Sequence, residues 1–317
     1  LLGNRLGVRF NYFRSATDHL LMWQGMSFLS GLDKTWGNGG KLENRGFDVE
    51  ATGVVWASPS WQWQVGASVG HYKNEVTALP DGQQYMDTEI LGATVRTEIG
   101  RPANLFYGYK TKGVFATSAE AQAAGLYVRD ANGVDQTAFE AGDVHFVDLD
   151  GDHFVTEADR TVIGDPNPDI YGNIFTTVQY RRFRLDVRFN YSLGNDIYNY
   201  MRQQLESGSR FMNQTTALAR RWQVEGQQTD IPRLSFQDPM GNSRFSDRWI
   251  EDGSYLRLKT VTLSYDLPIS STFLQGLQFW VQANNVFTLS RYLGTDPEGA
   301  ALSAVLGQGI DAGSVPQ

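Results

Sequence analysis

Apolar and polar side chains alternate in seven stretches of the chain. In the clearest stretch, every second position is apolar, at Leu185, Val187, Phe189 and Tyr191. Successive side chains of a β-strand point to opposite faces of a sheet, so this period predicts strands with one apolar and one polar face. The predicted strands are 5–13, 47–55, 61–71, 173–180, 184–191, 257–265 and 277–287.

The sixth stretch changes face part-way along. Leu256 and Leu258 lie on one face of an ideal strand, whereas Val261 and Leu263 lie on the other. One additional residue on one strand of an antiparallel pair shifts the alternation by one position and restores a single apolar face. We therefore expect a β-bulge near Thr260.

The connections between the predicted strands alternate between long and short. The long ones are 15–45, 74–172 and 195–256, and the short ones are 57–60, 181–183 and 266–276. Outer-membrane barrels show this alternation because their periplasmic turns are short and their extracellular loops are long. The sequence therefore predicts an all-β fold, a transmembrane antiparallel β-barrel in which 74–172 and 195–256 are long extracellular loops.

Short helices are expected within these loops. Helical patterns occur at 119–124, after a cap at Ser118, and at 198–206 and 214–225. The residues after Leu289 are expected to form a loop.

Seven strands do not complete a barrel, since bacterial single-chain barrels have an even number of strands and an open edge in lipid leaves backbone groups unpaired. The 317 residues are therefore expected to form one domain, 1–317, that is an internal part of a longer barrel. The strands before Leu1 and the returning strand after Leu289 would lie outside this sequence.

Composition excludes several classes of protein. Hydrophobic residues make up 41% of the chain, yet no uncharged apolar run approaches the roughly 18 residues that a membrane-spanning helix needs. The net charge of −8 argues against nucleic-acid binding, which requires a basic face. Cysteine is absent, and His19, His71, His145 and His153 lack the spacing of a zinc site, so we predict neither an enzyme nor an organic cofactor.

An acidic segment has the spacing of a calcium-binding loop. Carboxylate and hydroxyl side chains occupy positions 1, 3, 5, 9 and 12 of such a loop, at Asp148, Asp150, Asp152, Thr156 and Asp159. Position 6, which usually holds glycine in a positive-φ turn, is His153. Two interpretations follow: a structural Ca²⁺ that stiffens an extracellular loop, or a solvated turn without metal.

Charged residues on the predicted strands constrain their orientation. An Arg or Lys that faces lipid near the middle of a bilayer costs about 2–4 kcal/mol. In a barrel these residues must then line the lumen, in contact with polar cargo or a plug; on a soluble protein they would form a solvated sheet face. They are Arg184, Asp186, Arg188, Arg257 and Lys259.

Aromatic residues suggest where the membrane surface lies. Trp56, Trp61 and Trp63 flank the short turn 57–60 and are predicted to form an interfacial girdle on the periplasmic side, the alternative being a sheet core. Aromatic residues of the long loops could stack on sugar rings or peptide side chains, although none is assigned a ligand. They are Phe106, Tyr107, Tyr109, Tyr198, Tyr200, Phe211 and Trp222.

A series of motifs covers nearly the whole chain. They are Asn44-Arg-Gly46, Phe106-Tyr-Gly-Tyr109, Gly142-Asp143, Asp148-Leu-Asp-Gly-Asp152, Asp159-Arg-Thr-Val-Ile-Gly164, Pro166-Asn-Pro168, Tyr171-Gly172, Gly194-Asn-Asp-Ile-Tyr-Asn199, Arg248-Trp-Ile-Glu-Asp-Gly-Ser-Tyr-Leu-Arg257, Asn284-Asn-Val-Phe-Thr288 and Asp296-Pro-Glu298. In these residues, and in their order, the chain resembles the SusC/RagA-type TonB-dependent outer-membrane transporters of Bacteroidota-like bacteria.

The resemblance implies a plugged barrel of about 22 strands, of which this chain would be the C-terminal third without plug, N-terminal strands and last strand. It also implies TonB-energised import of glycan oligosaccharides or peptides through the cell outer membrane, with a SusD-like surface lipoprotein above the loops. The cargo is not specified by the sequence.

Two alternatives stay open. One is a calcium-stabilised secreted or surface β-sandwich that binds glycans or adheres, in which the apolar faces of the strands would be buried. The other is a passive porin-like channel, which has the same fold but no lipoprotein lid and no coupling to TonB.

Overall fold

Seven antiparallel strands form one sheet in the order of the chain. The computed structural model describes residues 5–25, 29, 31, 34–129, 133, 136–269, 273, 274, 276–299 and 307–313. With all strands numbered along the chain, the sheet consists of β1 (Leu6–Gly25), β2 (Lys34–Ala57), β3 (Trp61–Ala78), β12 (Ile170–Tyr180), β13 (Phe183–Leu193), β16 (Tyr255–Leu267) and β17 (Leu277–Ser290). The predicted all-β antiparallel fold is confirmed, and β1 and β17 are the two edges of the open sheet.

The predicted alternation of connections is confirmed at two of the three long positions. Short connections, 58–60, 181–182 and 268–276, lie at one end of the sheet, and the long connections 79–169 and 194–254 lie at the other. The long connection predicted at 15–45 is wrong, because β1 and β2 remain paired as far as Gly25 and Lys34. This outer half of the hairpin carries polar residues on both faces, so its sequence lacks the period of two.

The predicted bulge is confirmed. The register of β16 slips by one residue between Leu258 and Thr260 against both of its neighbours, β13 and β17. Leu258 therefore shares a face with Phe189, and Val261 shares the same face with Val187. The slip keeps one apolar face along the whole strand.

The long connections are themselves folded. Their strands are β4 (Tyr85–Ile90), β5 (Ala93–Glu98), β6 (Leu105–Tyr109), β7 (Thr111–Val114), β8 (Tyr127–Arg129), β9 (Gln136–Ala138), β10 (Val144–Phe146), β11 (Arg160–Gly164), β14 (Asp196–Asn199), β15 (Ile250–Asp252) and β18 (Ile310–Asp311). β18, in the segment predicted as loop, pairs with β14, which also pairs with β15. We refer to residues 79–169, 194–254 and 307–313 as the loop assembly.

Most buried apolar side chains belong to the loop assembly rather than to the large sheet. They form two clusters. The first contains Phe115, Ala121, Leu126, Phe139, Val144, Phe146, Val155 and Met240, and the second contains Ala93, Val95, Phe106, Tyr198, Phe245, Trp249 and Ile310. The core of the described structure therefore lies at one end of the sheet.

Two of the three predicted helices are present. Helix α1 (Ser118–Ala124) is capped by the Thr117 hydroxyl rather than by Ser118, which is its first residue. Helix α2 (Tyr200–Glu206) begins two residues later than predicted, since Tyr198 belongs to β14. None of the described helices has the length and apolar character required to cross a membrane.

The helix predicted at 214–225 is wrong. Only a short 3₁₀ turn, Thr216–Arg220, forms there. The backbone N–H of Trp222 donates to the Ile231 carbonyl at 2.9 Å, and its indole N–H donates to the Ala116 carbonyl at 3.1 Å. These tertiary hydrogen bonds hold the second half of the segment in a non-helical path. Further 3₁₀ turns are Pro80–Gly82, Glu157–Asp159 and Asp247–Trp249.

Candidate functional site

The large sheet has one apolar and one polar face along its full width. Residues paired across neighbouring strands share a face, and Ile174 lies between Ala67 and Phe189 on the apolar face. Large apolar side chains of this face are exposed, 64% for Phe10 and 75% for Val281. An exposed apolar surface of this extent requires a non-aqueous neighbour, whereas the core of a β-sandwich would be covered.

The charged residues predicted to line a lumen lie on the polar face. Arg184, Asp186 and Arg188 pair with Ser264, Thr262 and Thr260, all polar. Arg184 Nε lies 2.7 Å from an Asp186 carboxylate oxygen, and Thr177 donates its hydroxyl to the other oxygen at 2.7 Å. Arg184 and Asp186 are thus paired along the sheet surface.

Arg257 and Lys259 reach the same carboxylate from the polar side. Arg257 lies opposite Asn190, so it shares the polar face, and its guanidinium lies 2.5 Å from Glu298. Lys259, at the bulge, places its Nζ 3.0 Å from Glu298. The structure therefore brings these two predicted residues together, at the end of the sheet that carries the loop assembly.

A depression of about 350 Å³ lies on the polar face near the loop assembly. Its lining offers hydroxyl and amide groups, one carboxylate and three phenol rings, a set that suits polar, largely uncharged molecules. The sequence did not single it out, because its residues come from five different strands. The polar side chains are Asp48, Ser68, Tyr171, Asn173, Asn190, Tyr191, Ser192 and Tyr255.

The three predicted interfacial tryptophans lie on the apolar face at the end with short turns. Trp56 pairs with Trp63, and Trp56, Trp61 and Trp63 are 62%, 44% and 42% exposed. Trp63 donates its indole N–H to the Thr176 hydroxyl at 2.8 Å. Each tryptophan thus presents an apolar ring at the edge of the apolar face.

Four further aromatic residues extend this row and were missed in the sequence. The ring of Trp61 lies 4.5 Å from that of Tyr180, and Phe183 lies 4.6 Å from Tyr265, centroid to centroid. Phe279 pairs with Tyr265 at the next strand. All four stand beside short turns, and that position is the signal by which they could have been found.

The acidic segment brings three of its predicted ligands together. Carboxylate oxygens of Asp148, Asp150 and Asp152 lie within 4.8 Å of one another. Burial raises the pKa of the Asp148 carboxyl, but the backbone N–H groups of His153 and Gly151 donate to it, and together with nearby groups they lower its pKa overall. The three carboxylates face one small volume.

The other two predicted ligands interact with backbone groups. Asp159 is fully buried and accepts the N–H groups of Leu149 and Thr156 at 2.7 and 2.8 Å, while the Thr156 hydroxyl accepts the N–H of Ala158. His153 has a φ of 67°, the left-handed conformation that position 6 of such a loop requires.

A buried ion pair joins the two long connections. Arg233 donates from Nε and Nη2 to the two oxygens of Asp143, both at 2.9 Å, and Asp143 is fully buried. Asn242 donates to the same carboxylate at 2.9 Å. Gly142, with a φ of 86°, lies against the ring of Trp222, so a side chain there would collide with it.

Around Trp249 the loop assembly is aromatic and cationic. Trp249 is fully buried and donates its indole N–H to the Arg244 carbonyl at 3.1 Å. The Arg248 and Arg202 guanidinium groups lie 4.7 and 5.6 Å from its ring. Burial, followed by the nearby charge of Arg202, lowers the pKa of Arg248 to about 10.

Proteins of known type match nearly all of this chain. It is 30% identical over 306 residues to TonB-dependent receptor P3 of Formosa agariphila, with 94% of this chain covered, and 27% identical over 328 residues to TonB-dependent receptor P26 of the same organism, with 100% covered. The structure of the RagAB peptide transporter superposes with a TM-score of 0.74 and 25% identity over 97% of the chain. No protein-family model matches.

The chain belongs to the SusC/RagA-type TonB-dependent receptors. It spans 29% and 32% of the two Formosa receptors and 32% of the RagAB chain. The exposed apolar face of the sheet is accordingly the outside of a barrel wall.

In this receptor, many of the residues that carried the family resemblance make structural contacts, most of them within the loop assembly. Gly142-Asp143 form the ion-pair site, and Trp249 lies in the second cluster. Asn199 caps α2 by accepting the N–H of Arg202 at 2.9 Å. Asp296 and Glu298 both bind Arg257. These contacts give the receptor motifs a structural role.

Arg257 fixes the segment 291–299 of the receptor against the polar face. Replacing Arg257 by alanine removes a cation whose side chain is only 4% exposed and leaves Asp296, 6% exposed, without its partner. Breaking a buried pair from one side costs about 3–5 kcal/mol, so we expect 291–299 to detach. A spin label at Thr295 should become mobile. Lys259→Ala, which removes a cation 36% exposed, should leave the label immobile; equal mobility in both variants contradicts the role given to Arg257.

Proposed function

We propose that this chain forms part of the wall and outer mouth of an importer in the outer membrane that takes up glycan oligosaccharides or peptides. Import is energised by TonB, and a SusD-like surface lipoprotein delivers the cargo above the loops. The observation that carries the proposal is a sheet with an exposed apolar face, a polar face, and a folded loop assembly at one end only.

The comparisons support each part to a different extent. The relatives are TonB-dependent receptors, which supports location in the outer membrane and coupling to TonB. The RagAB chain belongs to a peptide transporter, which supports a peptide as one class of cargo and a second protein as partner. Since this chain spans about a third of these proteins, the activity of the whole protein is part of the proposal.

The loops 79–169 and 194–254 are proposed to lie outside the cell. Short turns in barrels of this class face the periplasm and long loops face outward. The aromatic row of Trp61, Tyr180 and Phe183 lies at the opposite end, where it would meet the periplasmic membrane interface.

The polar face offers cargo neutral hydrogen-bonding groups. The cations Arg257 and Lys259 are already paired with Asp296 and Glu298. Asn173, Asn190 and the phenols of Tyr171 and Tyr255 can bind sugar hydroxyls or peptide backbone groups without adding net charge to the site. This is why both classes of cargo fit the proposal.

Uptake by cells that produce the complete receptor tests this function. Fluorescent oligosaccharides and peptides should accumulate in the periplasm of cells with the receptor, and should not when the receptor gene, TonB or the proton gradient is removed. Affinity purification of the receptor should recover a surface lipoprotein. Uptake that continues without TonB and without the proton gradient would identify a passive channel instead.

We also propose that Asp148, Asp150 and Asp152 bind Ca²⁺, which would stiffen the loop assembly. Three converging carboxylates match the hard oxygen ligands that Ca²⁺ prefers. Thr156 and Asp159 complete the spacing in sequence, and Asp159 supports the loop by accepting backbone N–H groups. The role is structural.

Removal of calcium should therefore destabilise the loop assembly. Chelation is expected to lower its melting temperature by a few degrees, since bound ligand stabilises the folded state by mass action. Asp150→Asn/Asp152→Asn should abolish this response, measured by thermal unfolding with and without chelator. The control Glu89→Gln/Glu157→Gln removes two exposed acidic charges near Arg160 and should preserve the response. A wild-type receptor unaffected by chelation and by added Ca²⁺ would show that the carboxylates form a turn without metal.

A further inference from the structure

Three cations form a row on the outward, apolar side of the barrel wall. Register places Arg14 opposite Arg45, and Arg45 opposite Lys73, so the three side chains share one face on adjacent strands. The next row on the same face, two residues nearer the short turns, is Tyr12, Phe47 and His71. The cations therefore point away from the lumen.

The height of this row coincides with the edge of the hydrocarbon layer. From Trp61 in the aromatic row to His71, β3 advances ten residues, which is about 34 Å along a strand. At a tilt of about 45°, this corresponds to about 25 Å along the membrane normal, the usual height of the apolar band of such barrels. Lys73, two residues further, lies about 5 Å outside that band.

The partners of these cations lie farther from the membrane. Glu43 and Glu75 form the next row outward, and Arg14 lies 2.8 Å from Glu43. Arg45 and Lys73 share Glu75 at longer distances, 3.9 and 3.5 Å. Three cations thus face two carboxylates, and the cations remain open on their membrane side.

Exposure also favours a ligand from the membrane side. The side chains of Arg14, Arg45 and Lys73 are 65%, 52% and 49% exposed, whereas those of Glu43 and Glu75 are 22% and 35% exposed. Exposed ion pairs contribute little to stability, so an anion can compete for the cations. Arginine binds phosphate through paired N–H groups, and these hydrogen bonds are charge-assisted.

We propose that Arg14, Arg45 and Lys73 bind the phosphate of an anionic lipid headgroup in the outer leaflet. The lipid chains would lie along Phe10, Phe47 and the residues of the apolar face nearer to the short turns. The site would anchor the barrel wall at a fixed height and bind a defined lipid next to β1–β3. The inference depends on the outer-membrane location, and it is independent of cargo, lipoprotein and TonB.

Native mass spectrometry of the complete receptor tests this site, with phosphatidylglycerol as the anionic probe and phosphatidylcholine as the zwitterionic comparison. The wild type should retain phosphatidylglycerol preferentially. Each basic residue beside an anionic surface contributes a factor of about five in affinity, partly offset here by the carboxylates, so Arg14→Gln/Arg45→Gln/Lys73→Gln should weaken retention about tenfold. Arg14→Lys/Arg45→Lys keeps the charge, so its loss of lipid retention should be less than half of that in the triple variant.

Controls separate the site from charge in general. Lys110→Gln/Lys112→Gln/Arg220→Gln removes three exposed cations of the loop assembly and should retain the lipid as the wild type does. Folding of every variant is checked by the heat-dependent shift in electrophoretic mobility that intact barrels show. Unchanged retention by the Arg14 triple variant, equal loss in the control, or displacement of the lipid by inorganic phosphate would overturn the proposal. Because no uptake is measured, the result stands apart from the test of import.

Discussion

Replacing Trp249 by alanine is expected to unfold the loop assembly and leave the barrel strands in place. Trp249 is fully buried among Phe106, Tyr198, Phe245 and Ile310, which come from both long connections and from β18. Loss of a buried tryptophan costs about 3–5 kcal/mol through lost burial and the cavity left behind. The strands are held by their own backbone ladders, so they do not depend on this side chain.

Protease treatment of intact cells measures this effect. Wild-type loops should resist cleavage, whereas Trp249→Ala should be cut within 194–254 and should lose uptake of cargo. The heat-dependent mobility shift of the barrel should persist. Trp280→Ala is a matched control, because Trp280 is 64% exposed on the polar face of β17 and should leave the loops resistant. Resistant loops in Trp249→Ala would show that the second cluster does not hold the assembly together.

Replacing Asp143 by alanine is the second change expected to have a large effect. The carboxylate accepts four hydrogen bonds, two from Arg233, one from Asn242 and one from the Glu140 backbone. Without it, a partly buried guanidinium and a buried amide lose their acceptors. Removing one partner of a buried ion pair costs about 3–5 kcal/mol, so the two long connections should separate.

The cost can be measured as the urea dependence of loop proteolysis. Glu140→Ala is the control, since Glu140 also binds Arg233, at 3.0 Å, but is 69% exposed and should cost less than about 1 kcal/mol. The double variant Asp143→Ala/Arg233→Ala should be less destabilised than the sum of the single variants, because no unpaired charge is left. Additive effects would mean that the two side chains do not act as a pair.

The strands of the membrane sheet could be predicted because one rule applies to every residue of the wall: side chains that face lipid are apolar, and side chains that face the lumen are polar. Leu185, Val187 and Phe189 face outward and their polar neighbours face inward, so the sequence carries a period of two. The same rule revealed the bulge near Thr260, since an uncorrected strand would have turned Val261 to the polar side. Outside the membrane the rule no longer applies, and the extension of β1 and β2 to Gly25 and Lys34 went unpredicted.

The sequence by itself determined the wall of this receptor: its strands, their two faces, the short turns and the tryptophans beside them. Only the tertiary structure decided how the loops fold and which residues bind Asp143 and Arg257. It also showed that Tyr180 and Phe279 continue the aromatic row. The physical reason is distance along the chain. In the barrel wall, every second residue faces the same side, so the pattern is visible in the sequence. Asp143 and Arg233, by contrast, are 90 residues apart, and their contact leaves no periodic signal.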